Sequence, residues 1–462
     1  MTSKAKRPGP ARGGAAMTLP RGRARLLLRG PLALACVLLA ALAPVPPARS
    51  EATPSQAPDL APAAATVRTG LTPVAMPRAT VDEARRAAFK AFVQSLWPEV
   101  SAAGVSRRIF DAATRDLEPD PSVLERLDTQ PEHVRPPWAY LEGLVSAQRI
   151  AAGRAKLAEI AGILDAVETL MGVDRRIVVA IWGVESNFGA APGDRNVIQS
   201  LATLAFEGRR QTFGRRELIH ALRILERGDI DLARMTGSWA GAMGHTQFIP
   251  STYAAYAVDF DKDGRRDIWG GIPDALASTA NYLRVSGWRA GELWGVEVRL
   301  PGGFDFGLAA RRETASMADW TRRGVSLVDG RPLPASGLAH YVVLPAGARG
   351  PAFLVNRNFR AILRYNNSVS YALAVGLLAD AFAGVPAVQA AWPRDERPLG
   401  RSERIELQRL LARNGFEIGV VDGVLGTQSR RAVQAMQKRL GWPEDGYPSS
   451  RLLEHLRAQE KP

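Results

Sequence analysis

Cysteine is almost absent from this 462-residue chain; Cys36 is its only instance. It lies in an N-terminal apolar run, and if that segment is removed the mature protein holds no thiol. Disulfides, zinc–thiolate centres and cysteine nucleophiles are then excluded. Histidine is scarce too. His133, His220, His245, His340 and His455 form no H-E-x-x-H pair, which removes that zinc-hydrolase arrangement. No G-x-S-x-G elbow and no P-loop occur, so two further large enzyme classes fall away. Apolar runs are short of the roughly 20 residues a spanning helix needs. A chain without disulfides depends on its core, and this one is long enough for two or more domains.

What is present begins with uneven charge. The formal net charge is +14, yet residues 1–50 carry nine Lys or Arg and no acid, leaving +5 for the rest. That mild excess suits an anionic polymer partner and gives no reason to expect nucleic acid. A basic stretch from Arg21 to Arg29 precedes the apolar run Pro31 to Val45, and Ala48-Arg49-Ser50 stands before Glu51. Residues 1–50 therefore read as a secretory signal peptide. The alternatives are an uncleaved anchor, which would tether the protein to the membrane, and acylation at Cys36. Against acylation, the apolar run continues through Val37-Leu38-Leu39.

Residues 51–80 are rich in Ala, Pro and Thr and read as a flexible linker. Helical periodicity starts near Thr80, with Phe89, Phe92, Val93 and Leu96 on one stripe and a second stripe opening at Leu141, Leu144 and Val145. Strand-like runs occur at Tyr341-Val342-Val343-Leu344 and Phe353-Leu354-Val355, and a helix is expected from Tyr371 to Phe382. A stretch around Trp392-Pro393-Arg394-Asp395 suggests a linker over 387–400, followed by a separate unit of about sixty residues.

One carboxylate stands out. In DRRIVVAIWGVESNFG, Asp174 is placed to cap a helix, and Ile177, Val178, Ile181, Val184 and Phe188 trace an apolar stripe. Glu185 falls on that stripe, near the point where Gly189 is expected to stop the helix. Desolvation there raises a carboxyl pKa, as a general acid working near neutral pH requires. The competing reading is a helix-end glutamate paired with an arginine.

At Val184-Glu185-Ser186-Asn187-Phe188-Gly189 the sequence resembles the lytic murein transglycosylase B family. The likeness continues through GSWAGAMGHTQFIPSTYAAYAVDF (Gly237 to Phe260), Asn281-Tyr282-Leu283, and Arg364-Tyr365-Asn366-Asn367-Ser368 with Tyr371. The resemblance implies a mainly α fold, with a lysozyme-like α+β catalytic domain over 81–386 that includes a small β element. It implies cleavage of the bond between N-acetylmuramic acid and N-acetylglucosamine in peptidoglycan, with formation of 1,6-anhydro ends and no cofactor. Glu185 would act first as acid and then as base. Substrate-binding positions carry over to Ser238, Gln247, Tyr282, Tyr365, Asn366, Tyr371 and Tyr140. A periplasmic monomer acting on glycan strands is expected. Two alternatives stay open: a hydrolytic muramidase using Asp194 or Glu207 as a second carboxylate, and a non-catalytic wall-binding scaffold.

Asp259, Asp261 and Asp263, with Gly264 and Asp267, match the first half of an EF-hand loop. Position 12 is Gly270 where a Glu is usual. Relatives close a similar loop with a later Asp, for which Asp274 is the candidate here, and Arg265 would offer its carbonyl. A structural calcium and an ion-free Asp-rich turn are both compatible with the sequence. Finally, residues 401–459 resemble a three-helix peptidoglycan-binding module. The resemblance rests on Leu407-Gln408, Leu411, Gly415-Phe416, Val421 to Gly426, Ala432-Val433, Met436-Gln437 and Asp445-Gly446.

Overall fold

The computed structural model describes residues 83–128, 135–310 and 312–460. The signal segment with Cys36, the 51–80 linker and His133 lie outside the described residues. Among those described, no helix is long and apolar enough to cross a membrane.

The chain is mostly helical. The first stripe forms the helix Glu83–Ser95, which buries Phe89 and Val93. They join one core with the helices Val197–Phe206 and Gln211–Arg227. A second core gathers around the helices Arg175–Ser186, Ile272–Val285 and Val369–Phe382. Every residue from Ile177 to Val184 is buried. The Arg175–Ser186 helix is thus enclosed all round, where the sequence pattern pointed only to a one-sided stripe. Close packing needs glycine at Gly376 on the Val369–Phe382 helix, where a Cβ would lie 2.3 Å from the Trp294 ring.

Two antiparallel sheets complete this region. β1 (Arg195–Asn196) pairs with β2 (Thr236–Gly237). β3 (Gly295–Arg299), β4 (Ser326–Leu327), β5 (Tyr341–Val343) and β6 (Ala352–Val355) form a second sheet in the order β4-β3-β6-β5. Alternation of side chains divides β6 between two cores. Phe353 and Val355 enter the helical core, while Ala352 and Leu354 pack with Trp320, Phe304 and Met317.

The C-terminal unit consists of the helices Arg401–Arg413, Thr427–Arg439 and Ser450–Gln459. Leu407, Leu411, Val433, Met436, Leu452 and Leu453 fill its centre. The buried Gln408 amide fixes the Asp422-Gly423 turn, accepting from Gly423 N–H at 2.8 Å and donating to Val424 O at 3.1 Å. Residues before this unit run in contact with the rest. Trp392 packs on Trp138 at 6.0 Å, and Arg349 pairs with Asp395 and Glu396, both at 2.7 Å. Asp445 accepts from Ala348 N–H at 2.6 Å.

Candidate active site

Asp174 starts the Arg175–Ser186 helix by accepting from Arg176 N–H at 2.8 Å. The helix ends at Ser186, earlier than the expected stop at Gly189. Asn187, Phe188 and Gly189 then take left-handed backbone, with φ of 51°, 56° and 84°. Asparagine tolerates that conformation better than other non-glycine residues, which places the stop before the glycine. Glu185 is therefore held in the last turn, where the helix carbonyl end disfavours negative charge.

Glu185 keeps only part of its surface open. Burial raises its pKa from 4.5 to about 7, opposed by a hydrogen bond from Tyr371. The Tyr371 hydroxyl donates to Glu185 Oε1 at 2.6 Å, and Tyr371 is fully buried. This bond favours the carboxylate. Tyr371→Phe is therefore expected to raise the Glu185 pKa further and move the alkaline limb of kcat/KM to higher pH. A pH–rate profile of the variant checks this.

Tyrosines enclose the carboxyl group. Tyr140 and Tyr365 lie close enough for the Glu185 charge to raise their pKa values, with burial as the larger cause. Tyr365 donates to Thr246 O at 2.6 Å and packs against both helical cores, so the site lies on the seam between them. Tyr282 stacks edge-on against Tyr365 at 4.9 Å and donates to the Arg364 carbonyl. Tyr140 has a buried hydroxyl with no hydrogen-bond partner among the described residues. Asn366 follows Tyr365 directly and ends its helix, with its N–H donating to Ile362 O at 3.2 Å.

The Gly237 block folds over β2 into a tight loop. Ser238 Oγ accepts from Ala242 N–H at 3.0 Å and from Ala240 N–H at 3.3 Å. Gln247 sits at φ 52°, and its side-chain amide donates to Pro192 O at 2.8 Å and Gly244 O at 3.0 Å. Asp194 and Glu207 do not join this group. Asp194 is exposed, Glu207 is ion-paired with Arg85, and among the described residues no carboxylate influences the Glu185 pKa.

The acidic loop assembles as its spacing suggests. Carboxylate oxygens of Asp259, Asp261 and Asp263 lie within 4.8 Å of one another. Asp259 Oδ2 accepts from Gly264 N–H at 3.0 Å, while its Oδ1 is buried without a hydrogen-bond partner. That orphaned oxygen fits a cation. Asp274, 1% exposed, closes the loop through the backbone, accepting from Phe260 N–H at 2.7 Å and Asp267 N–H at 2.8 Å. Arg265 N–H donates to Asp263 Oδ1 at 2.8 Å, which turns the chain at the point where its carbonyl was expected to serve.

The model for the transglycosylase SLT domain matches residues 88–380, which span this whole constellation. The chain belongs to the lytic transglycosylase SLT family. A putative peptidoglycan-binding domain matches residues 400–456. The membrane-bound lytic murein transglycosylase B of Escherichia coli is 32% identical over 277 residues, covering 57% of this chain and 74% of that protein. The crystal structure of SltB3 from Pseudomonas aeruginosa in complex with NAG-anhNAM-pentapeptide superposes with a TM-score of 0.78. It is 53% identical, covering 80% of this chain and 99% of that one. Slt35 of Escherichia coli in complex with calcium is 28% identical with a TM-score of 0.54, covering 65% of this chain and 94% of that one.

The sequence suggests for His245 of this transglycosylase only a cleft-lining place, and it gives no sign of Arg149. His245 has its Nδ1 hydrogen-bonded by the Trp182 indole N–H at 2.9 Å. Arg149 donates to Gly143 O at 2.9 Å and Leu144 O at 3.1 Å, clasping the end of the Pro137–Leu144 helix that carries Tyr140. The Trp182–His245 pairing leaves no spacing signal because it joins a helix to a turn 63 residues away, whereas the Arg149 contacts reach back only five and six residues, across the join of two helices.

Proposed function

We propose that Glu185 is the sole acid/base of a peptidoglycan lytic transglycosylase that cleaves the bond between N-acetylmuramic acid and N-acetylglucosamine. The observation that carries this reading is a carboxyl group, raised to about 7, that stands among tyrosines with no second carboxylate beside it among the described residues. Hydrolytic glycosidases ordinarily use two carboxylates. With one, a single group must serve twice. Protonated near neutral pH, Glu185 donates to the glycosidic oxygen as the bond to C1 breaks. The resulting carboxylate then takes the proton of the sugar's own C6 hydroxyl while that oxygen bonds to C1, closing the 1,6-anhydro ring. Glu185 ends protonated again and no water is consumed.

The surrounding groups support substrate placement. The Tyr140 hydroxyl, without a partner among the described residues, offers a hydrogen bond that a ligand can complete. Ser238 Oγ accepts from the backbone, which leaves its proton to donate. The Gln247 amide donates to protein carbonyls, which leaves its oxygen for a substrate N–H. Tyr282 and Tyr365 offer aromatic faces to sugar rings, and Asn366 adds a polar edge. The bound molecule of SltB3 carries a stem peptide, and we carry over to this chain a peptide-bearing glycan strand as substrate. Export to the periplasm through the N-terminal segment, and wall binding by residues 401–459, complete the reading. Digestion of purified sacculi, with mass analysis of the released muropeptides, tests it. Anhydro ends are expected. Reducing ends would indicate a muramidase, and no release would indicate a scaffold.

A structural calcium in the acidic loop is part of the proposal, held by Asp259, Asp261 and Asp263, with Arg265 and Asp274 completing the loop. Ion binding to the folded state alone stabilises by about 2.7 kcal/mol at a hundredfold excess over Kd. Calcium is expected to raise the Tm by a few degrees over a chelator-treated sample, and Asp259→Asn to abolish that rise. Thermal unfolding with and without calcium checks both.

A further inference from the structure

His245 lies in the Gly237 block, and the reaction as described gives it no role. It is nonetheless tied to three residues that bracket Glu185. Its Nδ1 accepts from the Trp182 indole N–H at 2.9 Å, and its ring meets the Trp182 ring edge-on at 5.7 Å. Its carbonyl accepts from Ser186 Oγ at 2.9 Å. Its imidazole lies so close beneath Gly189 that a Cβ there would fall 2.2 Å from Cε1 and 2.4 Å from Nδ1. Ser186 Oγ also accepts from Gly189 N–H at 3.1 Å, so the left-handed turn after Glu185 hangs on the same cluster. On the far side, His245 N–H donates to Ile268 O at 2.8 Å.

Trp182 and Ser186 are one helical turn apart, on one face of the helix end. Trp182 is 2% exposed, so its N–H has no recourse to water once the imidazole acceptor is removed. Nδ1 accepts a proton-bearing donor, so it carries no proton itself, and the ring in this lock is neutral. The charged neighbour is Asp267, itself paired with Arg234 at 3.2 Å. Lys156 covers the Trp182 ring at 6.0 Å.

We propose that His245 is a positioning residue, whose neutral imidazole locks the end of the Arg175–Ser186 helix to the Gly237 block and so fixes where Glu185 presents its carboxyl group. This rests on the reading of Glu185 as the acid/base. General acid–base catalysis is steeply sensitive to placement, and a misplacement of about 1 Å costs on the order of a hundredfold in rate. Substrate-binding groups on other elements are left in place.

The test uses the full chain and compares His245→Leu with His245→Asn, whose amide oxygen can stand in for Nδ1. His245→Leu is expected to lower kcat about 10- to 100-fold with KM within about twofold. The alkaline limb of its pH profile should move to lower pH, because the loosened turn admits water to Glu185. The groups facing Glu185 from the packed elements, Tyr371, Tyr365 and Tyr140 with Arg149 behind it, are unchanged in the variant. His245→Asn should recover most of kcat. Trp182→Phe removes the donor and keeps the ring edge, so it should reproduce the loss even if His245→Leu fails to fold. Wild-type kinetics in both His245→Leu and Trp182→Phe would overturn the proposal, as would a loss carried by KM alone. Wild-type enzyme run alongside separates the two levels: if it releases no anhydro product, the functional reading itself fails.

Discussion

Glu185→Gln should lose muropeptide release from sacculi by about a thousandfold or more, while gaining stability at alkaline pH. The activity loss follows from asking one group to act as both acid and base, a role that contributes roughly 100- to 10,000-fold on its own. The amide can still accept from Tyr371, so the site is expected to keep its shape. The stability gain follows from the direction of the pKa change. Glu185 is raised from 4.5 to about 7 on folding. Its contribution to stability is fully present below pH 4.5 and is lost as pH rises through about 7. The full span amounts to on the order of 3 kcal/mol. Glutamine does not ionise, so at pH 8 the variant should resist denaturant better than wild type. A glutamate retained for structure would show the reverse pairing, with activity kept and stability reduced.

Gly193→Ala should destabilise the catalytic region by about 3 kcal/mol and take activity with it. Gly193 has φ +92°, and a Cβ there would lie 2.3 Å from the carbonyl carbon and oxygen of Gly237 and 2.8 Å from Ser238 N. Left-handed backbone costs a residue with a Cβ roughly 1–2 kcal/mol, and overpacking against atoms that cannot yield adds about 1–3 kcal/mol. The displaced atoms belong to β2 and to Ser238, so any relaxation moves a proposed substrate-binding position. Thermal unfolding and kinetics of the variant check both halves; an unchanged Tm would show that the β1–β2 junction is more compliant than its geometry indicates.

The parts legible in the sequence were those written in local chemistry. Asp174 caps as its position suggested, Tyr341–Val343 and Ala352–Val355 pair as strands, and Met436 fills the C-terminal core. β3 and β4 were not legible: Glu297 and Arg299 interrupt the apolar run of Gly295–Arg299, β4 has only two residues, and their partners lie far along the chain. Glu185 was visible as a carboxylate on an apolar face, but its solitude was not. That depends on Tyr371, 186 residues away, and on where Asp194 and Glu207 come to rest. His245 was invisible as a positioning residue because its partner Trp182 is 63 residues distant. Spacing reports on one helix face at a time, whereas the site is built where two cores meet.

We propose that this lytic transglycosylase closes the glycan end on the sugar's own hydroxyl. Digestion of sacculi in water enriched in heavy oxygen tests it most directly, with mass spectrometry of the new muramic ends. Anhydro ends carrying no solvent oxygen are expected. Reducing ends that carry the heavy isotope at C1 would contradict it.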